Sequence, residues 1–245
     1  MKLGEFELNK IYCMDAIEFL KKIPDNSVDL VLTDPPYNLR WKQQIELHGR
    51  KAFYHNYEEL KGWDKINKEF YFKLFNEFDR IVKDNGSIII FAKTELVTWI
   101  MEAGLVNNFD YKATINYVKS NPVPQVRKKN YCSSFETICW LARWNDKKCN
   151  FTFNFKSQKE MHNFIVMPIC SGNERTKHPT QKPLKLISHL LEIHSNKKDI
   201  ILDCFMGSGT TAVACKQLGR NFIGCDISEE YVKIANKRLA QETLL

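Results

Sequence analysis

One stretch near the C-terminus constrains the fold more than any other part of the chain. A buried-strand sequence, Ile200–Asp203, runs into a turn that contains Gly207 and Gly209, and a helix-forming segment follows over 209–218. Glycine adopts backbone conformations that other residues avoid, and it lets the chain pass close to a ligand. A strand, a glycine turn and a helix in this order predict a parallel α/β sheet with a ligand at the turn.

A carboxylate follows this turn at an informative distance. The next strand, Phe222–Cys225, leads to Asp226, 23 residues after Asp203. In nucleotide-binding α/β folds, an acid at about this spacing bonds ribose hydroxyls. A phosphate-binding loop is excluded because its lysine is missing, and a dinucleotide site would need glycine at Ala212. The motif indicates a cofactor that carries adenosine, with a ligand-free glycine turn as the alternative.

A second strand, Val28–Leu32, stops abruptly at the tetrapeptide Asp34-Pro35-Pro36-Tyr37. The two prolines fix φ and donate no hydrogen bond, so nearby carbonyls stay available as acceptors. Asp34 adds carboxylate oxygens and Tyr37 adds an aromatic face, at a strand end where open α/β sheets bind ligands. This set suits a flat group that carries an amino donor. A simple Pro-Pro turn that caps the strand is the alternative.

The order of the other elements supports one α/β domain with a doubly wound, mostly parallel sheet. Apolar periodicity predicts helices at 15–22, 68–83, 94–103, 183–193 and 228–240, and a strand at 87–91. Two stretches, 38–62 and 143–177, lack clean periodicity, so we expect loops or recognition elements there.

The positive charge of the chain is concentrated in its middle. The net charge is +7, yet residues 105–182 alone hold 13 Lys and Arg against five Asp and Glu. Aromatic residues interleave with these charges, as they do on surfaces that bind nucleic acid. A solvated basic face is the alternative interpretation.

Two broad classes are excluded by what the sequence lacks. No apolar run approaches the ~18 residues of a membrane span, and the N-terminus lacks the apolar stretch of a secretory signal, so we expect a cytoplasmic protein. The eight cysteines form no C-x-x-C pair and no Cys/His metal spacing. We therefore expect reduced thiols and no metal.

Together these motifs resemble the S-adenosylmethionine-dependent amino methyltransferases of DNA. The signatures [DNS]-P-P-[YFW] and F-x-G-x-G correspond to Asp34–Tyr37 and Phe205–Gly209, in the order of the β group. Further stretches are similar to motifs of that group: 9–16 with Leu20 and 23–29, 119–124, Phe135-Glu136, and 177–183. The resemblance implies a Rossmann-like class I methyltransferase fold, one catalytic domain over 1–245, and an inserted basic target-recognition region over about 105–177.

The resemblance also implies a role for each motif residue. Asp34, Pro35, Pro36 and Tyr37 would lie at the target amino group. The residues implied at S-adenosyl-L-methionine are Asp15, Asp34, His178, Lys182, Asp203, Phe205, Gly207, Ser208, Gly209, Thr210 and Asp226. Among these, Lys182 would pair with the methionine carboxylate, Asp226 with the ribose, and Asp15 with the adenine edge. The basic residues expected at DNA are Arg40, Lys42, Arg50 and Lys51 of a candidate DNA-contact loop over 38–62, together with Arg127, Lys128 and Lys129.

The first residue of the tetrapeptide bears on the target base. Asp34 resembles the adenine-N6 enzymes, whereas serine would resemble the cytosine-N4 enzymes. We expect a site-specific adenine-N6 methyltransferase that flips its base out of double-stranded DNA. Cytosine-N4 methylation, an RNA substrate and a non-catalytic nucleic-acid-binding subunit are the alternatives. The resemblance leaves a homodimer and a companion restriction endonuclease open as partners.

Overall fold

The computed structural model describes residues 1–37, 46–47, 50–51, 67–126, 128–143 and 150–241. Its strands are β1 (Lys2–Leu3), β2 (Phe6–Glu7), β3 (Lys10–Cys13), β4 (Val28–Thr33), β5 (Glu46–Leu47), β6 (Arg50–Lys51), β7 (Val82–Ala92), β8 (Phe109–Lys119), β9 (Phe135–Arg143), β10 (Phe164–Met167), β11 (Ile200–Asp203) and β12 (Asn221–Asp226). Its α-helices are α1 (Ala16–Leu20), α2 (Lys68–Ile81), α3 (Val97–Val106), α4 (Leu184–His194), α5 (Thr210–Leu218) and α6 (Glu229–Gln241).

Eight of the described strands form the central sheet, in the order β10-β8-β9-β7-β4-β11-β12-β3. Neighbouring strands are parallel except at β9, which is antiparallel to both β7 and β8. β4 and β11 are neighbours in the sheet. β7, the next sheet strand after β4 in the sequence, lies on one side of this pair, and β12, the strand after β11, lies on the other side. The carboxyl ends of β4 and β11 therefore open the crevice at which α/β sheets of this kind bind ligands.

Helices cover both faces of the sheet, as the predicted doubly wound architecture requires. Side chains alternate along β4, so that Val31 packs in one core with α1, α2 and α3, whereas Leu30 and Leu32 pack in the other with α4, α5 and α6. This alternation follows from the two-residue repeat of a strand. Because both faces are buried, the centre of the strand, Leu30-Val31-Leu32, is a continuous apolar run.

The predicted helices and strands are present, but the strand predicted over 87–91 extends over Val82–Ala92 and takes in the end of the helix predicted over 68–83. α2 begins after Asn67, whose side chain accepts a hydrogen bond from the Phe70 amide at 3.0 Å, and such a cap satisfies an amide that the first turn leaves unpaired. The helix ends at Ile81 because the chain enters β7 at Val82. The helix predicted over 94–103 begins as a 3₁₀ turn and continues as α3.

Three strands that the periodicity does not predict complete one half of the sheet. β8 and β9 lie inside the segment 105–177, and they belong to the central sheet. The expectation of loops throughout 143–177 is wrong at β10, which pairs in parallel with β8. β8 is mostly half-buried, and polar residues interrupt its apolar pattern. β10 is a run of only four apolar residues, two of them exposed.

Two further expectations concern the DNA-contact loop and membrane-spanning helices. The candidate DNA-contact loop over 38–62 lies outside the described residues, apart from the backbone of β5 and β6, which pair antiparallel. Among the helices that the structure describes, none is both long and apolar enough to cross a membrane.

Candidate active site

Three carboxylates mark the edge of the sheet at which neighbouring strands end. Asp34 follows β4, while Asp203 and Asp226 are the last residues of β11 and β12. An open cleft lies there. Its walls include these predicted site residues: Asp34, His178, Lys182, Asp203, Phe205, Gly207, Ser208 and Thr210.

The glycine turn forms the floor of this cleft, and its shape requires both glycines. Gly207 has φ +50° and Gly209 has φ +78°, in the left-handed region that side chains disfavour. A Cβ on Gly207 would lie 2.9 Å from Nε2 of His178, and one on Gly209 would lie 2.7 Å from Cβ of Ala235. The turn is thus packed closely on both sides.

Asp203 connects the glycine turn to β4 through hydrogen bonds. Its carboxylate accepts hydrogen bonds from the Thr33 hydroxyl (2.8 Å), the Thr211 hydroxyl (2.7 Å) and the Phe205 amide (3.1 Å). Burial raises the pKa of Asp203 to about 6. These contacts give Asp203 a positioning role in the turn, whereas its predicted contact with the cofactor stays a prediction.

Arg238, which the sequence pattern does not single out, also binds the glycine turn. The Arg238 guanidinium, on α6, donates to the Ser208 carbonyl (2.8 Å) and to the Thr210 hydroxyl (3.0 Å). Both Ser208 and Thr210 are buried. Because Arg238 is 30 residues from Ser208 in an ordinary amphipathic helix, no local motif reveals this contact.

Asp226 and Asp15 lie on adjacent strand ends, since β12 pairs in parallel with β3. The two Asp226 oxygens accept the Gly207 and Ser228 amides at 2.8 and 2.9 Å, and burial raises the pKa of its carboxyl. Asp15 caps α1 by accepting the Ile17 amide at 2.9 Å. The structure therefore gives Asp15 a helix-capping role, and its predicted contact with adenine stays a prediction.

The remaining predicted cofactor residues border the same turn. The His178 ring packs against Tyr231 with ring centroids 4.4 Å apart. Phe205 is half-buried, and its ring lies 6.1 Å from that of Phe70. His178 and Phe205 thus present rings on two sides of the glycine turn.

The tetrapeptide places an acceptor-rich corner at the other side of the cleft. The Tyr37 hydroxyl donates to one oxygen of Asp34, and the Lys182 ammonium bonds the other oxygen. Burial raises the pKa of Asp34, and the positive charge of Lys182 opposes that rise. Burial also holds the pKa of Tyr37 well above its usual range, so its hydroxyl stays a donor. Pro35 is buried and Pro36 is half-buried beside them.

A second carboxylate, Glu136 on β9, reaches the same lysine. Its oxygens lie 3.1 Å from the Lys182 ammonium and 2.8 Å from that of Lys119 on β8. Burial disfavours the charged form of Glu136, but the attraction of the two lysines outweighs it and lowers the pKa to about 2. The resemblance places Lys119 and Glu136 in middle motifs of the family but implies no role for either.

The predicted DNA-binding residues are only partly described. Lys128 and Lys129 are exposed on the segment between β8 and β9. Arg40, Lys42 and Arg127 lie outside the described residues, as do the side chains of Arg50 and Lys51. Within the described part of the chain, no group of three or more His, Cys, Asp or Glu side chains is arranged to hold a metal ion.

Comparison with known proteins decides the family. Residues 28–237 match the profile of the N6/N4 DNA methylase family. This chain belongs to that family. Its relatives include the type II methyltransferase M.HinfI of Haemophilus influenzae, 33% identical across 96% of this chain and 69% of the relative. Another is M2.DpnII of Streptococcus pneumoniae, 35% identical across 93% of this chain and 88% of the relative.

Solved structures of DNA methylases share the fold. M1.HpyAVI in complex with SAM superimposes with a TM-score of 0.74 at 33% identity, over 94% of this chain and 98% of that one. The cytosine-N4-specific PvuII methyltransferase gives 0.72 at 17% identity, which shows the fold alone. The predictions of an amino DNA methyltransferase, of a class I fold and of S-adenosylmethionine as cofactor are confirmed, and the adenine-N6 type agrees with the relatives.

The cleft of this DNA methylase fits the cofactor. Gly207 and His178 both line the cleft, and a Cβ on Gly207 would lie between them, 2.9 Å from Nε2 of His178. Asp226 offers carboxylate oxygens at the end of β12, where ribose hydroxyls bind in related nucleotide sites. The half-buried ring of Phe205 adds an apolar wall.

Proposed function

We propose that this DNA methylase transfers a methyl group to N6 of an adenine flipped out of duplex DNA. The observation that carries the proposal is the Asp34 carboxylate, held between Tyr37 and Lys182 within the cofactor cleft. Asp34 stands first in the tetrapeptide, as in the adenine-N6 enzymes that the sequence resembles. The family match to N6 and N4 methylases supports the chemistry.

The residues of the tetrapeptide address the weakness of the substrate as a nucleophile. The lone pair of the exocyclic amine is delocalised into the adenine ring. Asp34 and the Pro35 carbonyl accept its two N–H groups, which draws the nitrogen toward a tetrahedral state and aims its lone pair. Fixing the amine in this orientation supplies much of the rate by proximity. S-adenosylmethionine, when bound, supplies an electrophilic methyl group on a positively charged sulfur.

Asp34 has a second task during the reaction. The attacking nitrogen becomes positively charged as its new bond forms, and a nearby carboxylate stabilises that charge. Tyr37 supports the base as a stacking surface, since an adenine inside the duplex must leave its stack to be modified. The donated hydroxyl of Tyr37 fixes the orientation of Asp34 at the same time.

We propose that Phe205, Gly207, Gly209 and Asp226 hold the cofactor, with His178, Ser208 and Thr210 completing the pocket. Lys182 lies at the junction of the two pockets, because its ammonium bonds Asp34 while its carbonyl accepts the Thr210 hydroxyl at 3.3 Å. Its contact with the methionine carboxylate is part of the same proposal.

For duplex DNA we propose the carboxyl edge of the sheet as the binding face. The segment with Lys128 and Lys129 leaves β8 at that edge, on the same side as Asp34, because β8 and β4 run in the same direction. The recognition role of 105–177 then falls to its connecting segments, since β8 and β9 are parts of the sheet. Action in the cytoplasm, a homodimer and a companion restriction endonuclease are further proposals, supported by the family resemblance.

One assay tests the proposed function and its alternative. A labelled methyl group is transferred from S-adenosylmethionine to unmethylated genomic DNA, and the digested nucleosides are identified by mass. We expect N6-methyladenine. N4-methylcytosine would overturn the choice of base, which the shared fold of the PvuII enzyme leaves open. Methylation of RNA but not of DNA would overturn the substrate.

A further inference from the structure

Asp34 with its partners Tyr37 and Lys182 forms the catalytic corner. Four charged side chains form a continuous line from this corner into the sheet. Asp34 bonds Lys182, Lys182 lies 3.1 Å from Glu136, and Glu136 lies 2.8 Å from Lys119. The Lys182 side chain is only 8% exposed, and that of Lys119 is 14% exposed. Two negative and two positive charges alternate along this line, so it is neutral as a whole.

Lys182 is fixed by more than its two carboxylates. Its ammonium lies 4.9 Å from the ring centroid of Phe91 and 5.6 Å from that of Tyr37. Asp34 accepts a hydrogen bond from the ammonium, and Glu136 forms an ion pair with it at 3.1 Å. Glu136 is therefore the second anchor of the lysine that touches the catalytic carboxylate.

We propose that Glu136 is a positioning residue for methyl transfer, which holds the Lys182 ammonium so that Asp34 stays oriented without being fully neutralised. This inference rests on the proposed role of Asp34. A lysine shared between two carboxylates withdraws less charge from each than a lysine that pairs with one alone. Asp34 then remains a strong acceptor for the amine N–H group as positive charge develops on the nitrogen.

The charged and titratable groups around Asp34 give this idea a direction. Burial raises the pKa of Asp34, Lys182 lowers it, and Glu136 raises it. Tyr37 donates a hydrogen bond to Asp34. The negative charge of Asp34 raises the pKa of the neighbouring Tyr71 and Asp203. Removing the Glu136 charge should therefore lower the pKa of Asp34, and removing the Lys119 charge should raise it.

A purely structural role for Glu136 makes a different prediction. Glu136 and Lys119 join the neighbouring strands β9 and β8. If that were their only task, either substitution would reduce stability and leave the pH dependence of methyl transfer unchanged. The direction of the pH shift separates the two roles.

The test measures single-turnover methyl transfer across the acid range, with labelled S-adenosylmethionine and unmethylated genomic DNA. Glu136→Gln should lower the plateau rate about tenfold, which corresponds to a typical coupling energy within a contact network. It should also move the acid limb to lower pH, whereas Lys119→Gln should move the limb to higher pH. S-adenosylmethionine affinity, measured alongside, separates a loss of cofactor binding through Lys182 from a loss of rate.

Asp34→Asn serves as the reference variant. An active Asp34→Asn enzyme would remove the proposed role of Asp34 itself. An inactive Asp34→Asn enzyme, together with wild-type rates and pH limbs in Glu136→Gln and Lys119→Gln, would overturn only the inference about Glu136. If Glu136→Gln does not fold, the upward shift in Lys119→Gln decides the matter, and an unshifted limb there overturns the inference.

Discussion

The glycine turn and the catalytic corner share one cleft, yet they are built in different ways. The turn lies within the short stretch from β11 to α6, and the Gly207 amide bonds Asp226 only 19 residues away. The catalytic corner joins Asp34 to Lys182 across 148 residues and adds Glu136 from a third part of the chain. The backbone of the cofactor turn is thus specified mainly by one local motif, whereas the charge network depends on how distant strands assemble.

The largest expected effect comes from a substitution that changes the catalytic corner alone. Asp34→Asn keeps the size of the side chain but removes the charge that stabilises the developing ammonium. We expect methyl transfer to fall about 10³-fold, as for loss of a main electrostatic contact in other enzymes, with DNA binding retained. Asp84→Asn, on an exposed carboxylate of β7, is the matched control and should retain full activity. Wild-type turnover by Asp34→Asn would contradict the catalytic assignment.

The next effect breaks the glycine turn alone. Gly209 and Gly219 flank α5 with φ values of +78° and +70°, but a Cβ would meet Ala235 at 2.7 Å only at Gly209. Gly219→Ala should cost about 1 kcal/mol from backbone strain. Gly209→Ala should cost a further ~1–3 kcal/mol from overpacking.

Denaturant unfolding with and without S-adenosylmethionine measures both glycine variants. We expect the cofactor to stabilise the wild type and Gly219→Ala equally, and to stabilise Gly209→Ala less. Equal losses of stability in the two variants would show that the contact of Gly209 with α6 is unimportant.

A smaller effect sharpens the comparison at the DNA-binding face. Lys128→Ala with Lys129→Ala should weaken binding to all duplex sequences alike and reduce the magnitude of the salt slope by about 2, since each phosphate contact contributes about 0.9. The control is Lys197→Ala with Lys198→Ala, at the amino edge of the sheet. Lys198 shares the positive φ of Lys128, so the pairs match in backbone strain. Equal salt slopes for the two double variants would move the DNA contacts elsewhere.

The smallest effect concerns stability in acid. His194 on α4 is buried, with its ring 4.8 Å from that of Trp140 on β9, and burial lowers its pKa to about 3. The unfolded chain binds a proton on this group below about pH 6.5 that the folded protein excludes. Stability contributed by neutral His194 is therefore present above that pH and is lost as the pH falls toward 3.

His194→Leu should remove this dependence. We expect its free energy of unfolding to change with pH less steeply than that of the wild type, by about 1 kcal/mol per pH unit between these pKa values. The exposed His162→Leu is the control. Identical slopes in His194→Leu and wild type would contradict the assignment.

The same contrast explains how much the sequence could predict. The glycines, Asp226 and the tetrapeptide follow apolar strands directly, so chain order alone brings them to one edge of the sheet. Glu136 and Lys119 meet because β8 and β9 pair with Tyr117 opposite Glu136, and no periodicity specifies that register. Arg238 reaches the turn from a helix that looks like any other amphipathic helix. Long-range pairing is the information that one sequence lacks.

The most direct test of this division is the cofactor affinity of two variants measured side by side. Equilibrium binding of S-adenosylmethionine to Asp34→Asn and to Gly209→Ala separates the catalytic corner from the glycine turn. We predict that Asp34→Asn loses methyl transfer far more than cofactor binding, and that Gly209→Ala binds the cofactor at least about tenfold more weakly, which equals 1.4 kcal/mol. Equal loss of cofactor binding in both variants would contradict the account, because the two regions would then act as one site.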